Sequence, residues 1–214
     1  MEYGTFNKGK SNYYKMLKWE FLSLIPEGPN VVLDLGCGAG QLGRVLREMN
    51  KASELVGVET HPKAVEEAAQ FYNKVYQDNV ESLSLPYAAY FDFIICGDIL
   101  EHLVDPWTML IKINSMLKSG GSLICSIPNI RYFKIIAGLI LNGTWEYTDA
   151  GILDSTHLRF FTKRSFIKML DNANYKVTWL HLSISGKKKI ANRLTLGAFS
   201  EFLAPQIMIL ARKI

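Results

Sequence analysis

Apolar and polar positions fall into blocks along this chain, and the spacing inside the blocks switches between two periods. VVLDL (31–35), ELVGVE (54–59), FDFIIC (91–96) and SLICSI (122–127) are short apolar runs, with the length and composition of buried strands. Between them the spacing is helical. Gln41–Met49 carries Leu42, Val45, Leu46 and Met49, and a helix opening at Pro62 puts Val65, Ala68, Ala69 and Tyr72 on one face. Another helix is capped by Asp105, has Pro106 in its first position, turns Leu110, Ile113 and Leu117 inward, and ends near Lys118 and Gly120. Residues 11–24 (SNYYKMLKWEFLSL) read as an opening helix, and Lys74–Gln77 as a short strand.

Residues 129–161 break the rhythm and read as an insertion. Alternation resumes with a helix over 162–172. Thr162 is its N-cap, and Asn174 is its terminator in the left-handed region, which Asn tolerates better than most residues. Tyr175–Ile184 and Gln206–Lys213 are two further strands with a helix between them. Strands alternating with helices predict an α/β fold with a mostly parallel sheet. The segment IRYFKIIAGLIL (130–141) is strongly apolar. It reads as a helix packed on the core or on a lid, with contact to a membrane or lipid substrate as the lesser option.

Composition narrows this picture modestly. The 214 residues suit one domain spanning 1–214, with an N-terminal helical cap over 1–29 and the 129–161 insertion as a substrate lid. A net charge of +4 permits an anionic partner without demanding one, and the Lys187–Lys189 triplet reads as a solvated turn, so no nucleic acid is expected. The three cysteines, Cys37, Cys96 and Cys125, show no CxxC spacing, which argues against disulfides and zinc and for a reduced, cytoplasmic setting. The N-terminus shows no signal-peptide core, and the apolar stretches are too short to span a bilayer. The oligomeric state is left open.

Candidate chemistry starts at VVLDLGCGAGQLG (31–43). The glycines fit two frames: Gly36, Gly38 and Gly40 give GxGxG, and Gly38, Gly40 and Gly43 give GxGxxG. Either frame exposes backbone N–H groups at a helix start, and Glu59, ending the second strand, suits a ribose diol in either case. Asp34 discriminates. A carboxylate in a buried strand is costly unless paired, and it would repel a pyrophosphate but favour a cationic ligand. S-adenosylmethionine has an ammonium group, a sulfonium, a ribose and no phosphate. Asp78, after the third strand, is placed to accept a bond from an adenine amino group, with Val80 packing on the ring.

The segments VLDLGCGAG, VGVE, QDNVES, FDFIICGDILEHLVDP and LKSGGSLICSIPN resemble the Rossmann-like S-adenosylmethionine-dependent methyltransferases, in register over about residues 30–130. The D-x-L-E-H-x-x-D-P stretch is most similar to the small-molecule branch that includes ubiquinone-pathway O-methyltransferases, and GILDSTHLRFFTKRSF to a segment of its bacterial relatives. The resemblance implies a seven-stranded sheet of order 3-2-1-4-5-7-6 with the last strand antiparallel. It also implies S-adenosylmethionine as cofactor. Asp34, Gly36, Cys37, Gly38 and Gly40 would hold the methionine end, Glu59 the ribose, and Asp78, Asn79 and Val80 the adenine, with Gly97 also at the cofactor. Asn174 departs from the family pattern, where glycine is usual.

The acceptor side rests on fewer signals. Asp98, Glu101 and His102 follow the fourth strand, where they could move a proton, bind a metal or simply hold the loop; their spacing does not require a metal, and none is expected. Asp105 reads as a helix cap rather than a ligand. In the insertion, Trp145, Tyr147, Asp154, His157, Arg159 and Phe160 suit a lid over a small polar acceptor. If that segment is a helical turn, Asp154 and His157 share a face and the carboxylate orients the imidazole as a base, so His157, His102 and Asp154 are the candidate catalytic residues. The expected reaction is displacement at the sulfonium methyl by a small-molecule acceptor, oxygen by resemblance. The alternatives are a non-catalytic nucleotide-binding protein and an NAD-dependent oxidoreductase. A nucleobase N-methyltransferase is disfavoured, because Cys96-Gly97-Asp98-Ile99 stands where an N/D-P-P-Y/F stretch is usual.

Overall fold

The computed structural model describes residues 19–82 and 84–214. Its strands are β1 (Val31–Leu35), β2 (Glu54–Glu59), β3 (Lys74–Gln77), β4 (Phe91–Gly97), β5 (Leu117–Pro128), β6 (Tyr175–Ser183) and β7 (Gln206–Lys213). They form a seven-stranded sheet in the order β3-β2-β1-β4-β5-β7-β6. β2 pairs in parallel with β1 and β3, while β7 runs antiparallel to β5 and β6. Order and direction match what the family resemblance implied.

The helices are α1 (Trp19–Leu24), α2 (Gln41–Glu48), α3 (Pro62–Ala68), α4 (Pro106–Met116), α5 (Phe133–Ala137), α6 (Lys163–Asn172), α7 (Lys188–Leu194) and α8 (Ser200–Leu203). The expected helix over 11–24 is seen as α1; its earlier part, with Tyr13 and Tyr14, lies outside the described residues. Asp105 caps α4 as expected, accepting the Thr108 amide at 3.0 Å. The Thr108 side chain first, and then its amide, hold the Asp105 carboxyl below its ordinary pKa. α4 ends at Met116, short of the expected stop near Lys118 and Gly120, so Leu117 opens β5 rather than lying on the helix face; the Lys118 ammonium lies 2.9 Å from both carboxylate oxygens of Asp92.

The chain divides into two compact units. One comprises residues up to Ile95 with Met116–Gly121; the other comprises Cys96–Ser115 and Ser122–Ile214. In the first, Val32, Leu33, Leu55, Val56, Val58 and Ile94 are fully buried, as uninterrupted apolar strands require. In the second, Leu110 and Ile113 from the inner face of α4 are buried, as are Ile124, Phe166, Leu170 and Ile209. Each such side chain contributes about 1.5–3 kcal/mol relative to exposure. Tyr175 is buried with them and its hydroxyl donates to the Leu110 carbonyl at 3.2 Å, so its polar end is satisfied.

α6 is punctuated as the sequence predicts. The Thr162 hydroxyl accepts the Ser165 amide at 3.2 Å, the Ser165 hydroxyl accepts the Thr162 amide at 2.9 Å, and Asn174 takes φ 61°. The 129–161 insertion closes on itself at its base. Asn129 and Phe161 form a parallel bridge, and the Ile130 amide donates to the Phe161 carbonyl at 3.0 Å. Within it, the expected long helix is a single α-helical segment, α5, continued by a π-helical turn over Gly138–Asn142.

Candidate functional site

The glycine turn in the first unit settles which frame matters. Gly36, Gly38 and Gly40 adopt φ of 71°, 55° and 80°, a region that other residues enter at a cost. Gly43 does not need that freedom. It lies inside α2, and its missing side chain makes room for Tyr72, since a Cβ there would fall 2.3 Å from the Tyr72 ring. The conformation therefore demands GxGxG, and the third glycine of the other frame serves packing.

This turn is tied to the end of β2. The Gly36 and Cys37 amides donate to the Val58 carbonyl at 2.8 and 3.1 Å, and the Gly38 amide donates to Glu59 Oε2 at 3.0 Å. Glu59 Oε1 accepts the Thr60 and His61 amides at 2.8 and 2.9 Å. Asp34 and Glu59 are buried, only 4% and 7% exposed. Asp34 Oδ2 accepts the Tyr72 hydroxyl at 2.5 Å, and burial followed by the Asp34 charge pushes the Tyr72 phenol well above its ordinary pKa. Tyr72 is a residue the periodicity misplaced: α3 ends at Ala68, and Tyr72 lies beyond it. Nothing in its spacing marks it as the partner of an acid 38 positions away.

Two carboxylates, Asp34 and Glu59, lie at the turn. Burial first, then the Asp34 and Glu59 charges, raise the Cys37 thiol far above its usual pKa. Such a turn disfavours a pyrophosphate and fits a cationic, phosphate-free nucleoside. Asp78 follows β3 on an exposed loop, where its carboxylate accepts the Asn79 amide at 2.7 Å while the Asn79 side chain accepts the Glu81 amide at 2.9 Å. Val80 beside them is half-buried.

The second unit carries the other candidates. Gly97 ends β4, and Asp98 follows at φ 57°, its Oδ1 accepting from the Ser126 hydroxyl at 2.7 Å and the Gln206 amide at 2.8 Å. Asp98 is thus an anchor for the loop. A 3₁₀ turn over Leu100–His102 comes next, and the Glu101 carbonyl accepts the Leu158 and Arg159 amides at 2.8 and 3.0 Å. That pair of bonds brings the end of the insertion to this loop. His102 and His157 meet edge to face with ring centroids 4.7 Å apart.

Each imidazole is oriented through Nδ1. His157 Nδ1 faces the Ile152 carbonyl at 3.0 Å and His102 Nδ1 faces the Thr156 carbonyl at 3.2 Å. A carbonyl only accepts, so an Nδ1–H donated to it leaves Nε2 of a neutral ring as the basic atom; at His102 the Thr156 hydroxyl also lies 3.2 Å from Nδ1. Burial, and then the neighbouring His157, lower the pKa of His102 below 6.5, so it is a neutral base at neutral pH. Asp154 does not orient His157 as the sequence suggested. Residues 151–156 form turns rather than a helix, and the Asp154 carboxylate bonds the Thr156 amide at 2.9 Å and hydroxyl at 2.6 Å. Burial raises the Asp154 pKa, but those bonds and the two imidazoles outweigh it, and the net shift is downward.

Glu101, His102 and His157 each offer a ligand atom, all within 4.8 Å of one another, so the trio could hold a divalent cation. The sequence had not joined these three, because His157 lies 55 positions beyond His102 and only the chain path through the insertion unites them. Trp145 and Phe160 stack edge to face at 5.3 Å in the same insertion, with Tyr147 6.5 Å from Phe160.

Comparison with known proteins agrees with the fold. The Methyltransferase domain family model matches residues 10–180. The chain is 32% identical over 151 residues to a ubiquinone biosynthesis O-methyltransferase of Xanthomonas axonopodis pv. citri, covering 62% of each chain. It therefore spans about three fifths of the length of that relative. In structure it is similar to an S-adenosylmethionine-dependent methyltransferase of Mesorhizobium loti, with TM-score 0.65, 18% identity and coverage of 91% and 97% of the two chains. It is similarly close to one from Archaeoglobus fulgidus, with TM-score 0.66, 18% identity and coverage of 91% and 90%. The family match over residues 10–180, on this strand order, identifies the chain as a member of the methyltransferase-domain family, with a Rossmann-like fold.

Proposed function

We propose that this chain methylates an oxygen of a small molecule, with the His102–His157 pair taking up the proton that the acceptor loses. The observation that carries the reading is the imidazole pair itself: two rings 4.7 Å apart, each with its Nδ1 held against a backbone carbonyl. The choice of oxygen is supported by the relatives named as ubiquinone biosynthesis O-methyltransferases.

S-adenosylmethionine, when bound, supplies a methyl group already activated by its sulfonium. The protein's part is then positioning and proton removal. Asp34 and the glycine turn bind the cationic end, Glu59 the ribose and Asp78 the adenine. His102 accepts the hydroxyl proton at Nε2, and the Thr156 carbonyl holds the ring in place. Positioning of this kind lowers a barrier by roughly 7–11 kcal/mol, and a placed base adds about 10²–10⁴ in rate. The Trp145–Phe160 pair offers an apolar wall for an aromatic or alicyclic acceptor.

A second reading is favoured by the clustering of Glu101, His102 and His157: a divalent cation held there would lower the acceptor's pKa in place of a base. Turnover with methyl-labelled cofactor against phenols, catechols, carboxylates, sugars and amines tests both. Label on an acceptor oxygen, retained in EDTA and cut by about 10² or more in His102→Gln and His157→Gln, supports the imidazole base. Loss in EDTA with rescue by a divalent metal supports the cation. Normal turnover in both variants removes the pair from the chemistry, and label on nitrogen alone refutes oxygen as the acceptor.

A further inference from the structure

Residues 184–200 (ISGKKKIANRLTLGAFS) hold four basic side chains and no acidic one. In α7, Ile190 and Leu194 lie one turn apart on the same face and are 65% and 80% exposed. Leu196, just beyond, is 96% exposed and sits at φ 49°, a conformation a leucine adopts at a cost. The exposed cations Lys187, Lys189 and Arg193 flank these apolar tips. The isolated fold gains nothing from a strained leucine held in water.

A second exposed apolar tip lies in the insertion of the same unit. Ile140 and Leu141, in the π-helical turn after α5, are 73% and 78% exposed. The two segments are tied together: Lys188 Nζ donates to the Tyr132 hydroxyl at 2.9 Å, and Arg131 pairs with Glu201. The α7 tips, flanked by cations, match one environment in both polarity and charge. A second copy of the chain would bring the same cations against one another, whereas an anionic lipid surface accepts the leucines and neutralises the charge. No helix among the described residues is long and apolar enough to cross a membrane, so the contact would be peripheral.

We propose that this face of the second unit docks on an anionic lipid bilayer. The test is co-sedimentation of the full chain with phosphatidylcholine vesicles, with and without phosphatidylglycerol. The proposal expects pelleting with the anionic vesicles only, weakened by added salt. Replacing Lys187, Lys189 and Arg193 with Gln should weaken it by about 100-fold. Leu196→Gly suits the positive φ, so it should keep the urea midpoint while losing vesicle binding. Leu194→Ser with Ile140→Ser should lose it too, with calorimetric affinity for S-adenosylhomocysteine unchanged. Absence of pelleting, equal pelleting with neutral vesicles, or pelleting indifferent to every substitution overturns the proposal. So does a lipid-free dimer in sedimentation velocity that Leu196→Gly abolishes.

Discussion

At the scale of single residues, two positions carry most of the local argument. Gly40 combines φ 80° with a site where a Cβ would lie 2.8 Å from the Ala68 backbone. Left-handed geometry alone costs a non-glycine residue about 1–2 kcal/mol, and the overlap adds to it. Gly40→Ala should therefore lower stability by about 2 kcal/mol or more in urea unfolding; an unchanged midpoint would show that the turn relaxes freely. His102 is the other. Its folded pKa lies below 6.5. Between that value and 6.5 the unfolded chain binds more protons than the folded one, so the His102 contribution to stability is complete above about pH 6.5 and declines as pH falls through that window. The acid limb of the pH–rate profile should likewise fall below 6.5, and an acid limb above 6.5 would exclude His102 as the base. These residues were unequally legible. Asp34, Glu59 and the three glycines announce themselves by type and place in a strand-turn pattern. Tyr72 and the His102–His157 contact do not, because both depend on where long connections return.

At the scale of elements, caps were read well because they are local chemistry, whereas β5 begins five residues before the run that announced it. Thr162 and Asp105 act where their side chains reach neighbouring backbone, and Asn174 acts by taking a positive φ. Removing the Thr162 hydroxyl by Thr162→Ala should cost about 1 kcal/mol. Differential scanning or urea unfolding would show it, and a cost near zero would mean that the Ser165 half of the box suffices. The insertion was less legible. Its apolar periodicity suggested one helix over 130–141, whereas α5 gives way to a π turn and the next stretch folds as successive turns. Glycines at 138, 143 and 151 interrupt the helical pattern, and the last two take positive φ. The Asp154–His157 spacing looked like a helical face only while that stretch was assumed helical.

At the scale of the molecule, strand order and direction were legible through the family resemblance rather than through periodicity, which specifies elements but not their neighbours. The ligand choice rests on charge. Asp34, buried beside the glycine turn, disfavours a diphosphate and favours a sulfonium nucleoside, while Glu59 suits the ribose. Asp34→Asn keeps the shape and an acceptor for Tyr72 while removing the charge, and Glu59→Gln does the same at the end of β2. The most direct measurement is calorimetric titration of the wild-type chain and these two variants with S-adenosylmethionine, alongside NADH. Tight binding of S-adenosylmethionine by the wild type, a loss of about tenfold or more in each variant and no heat from NADH is the predicted result. Undiminished affinity in both variants, or NADH binding at the same turn, would contradict it.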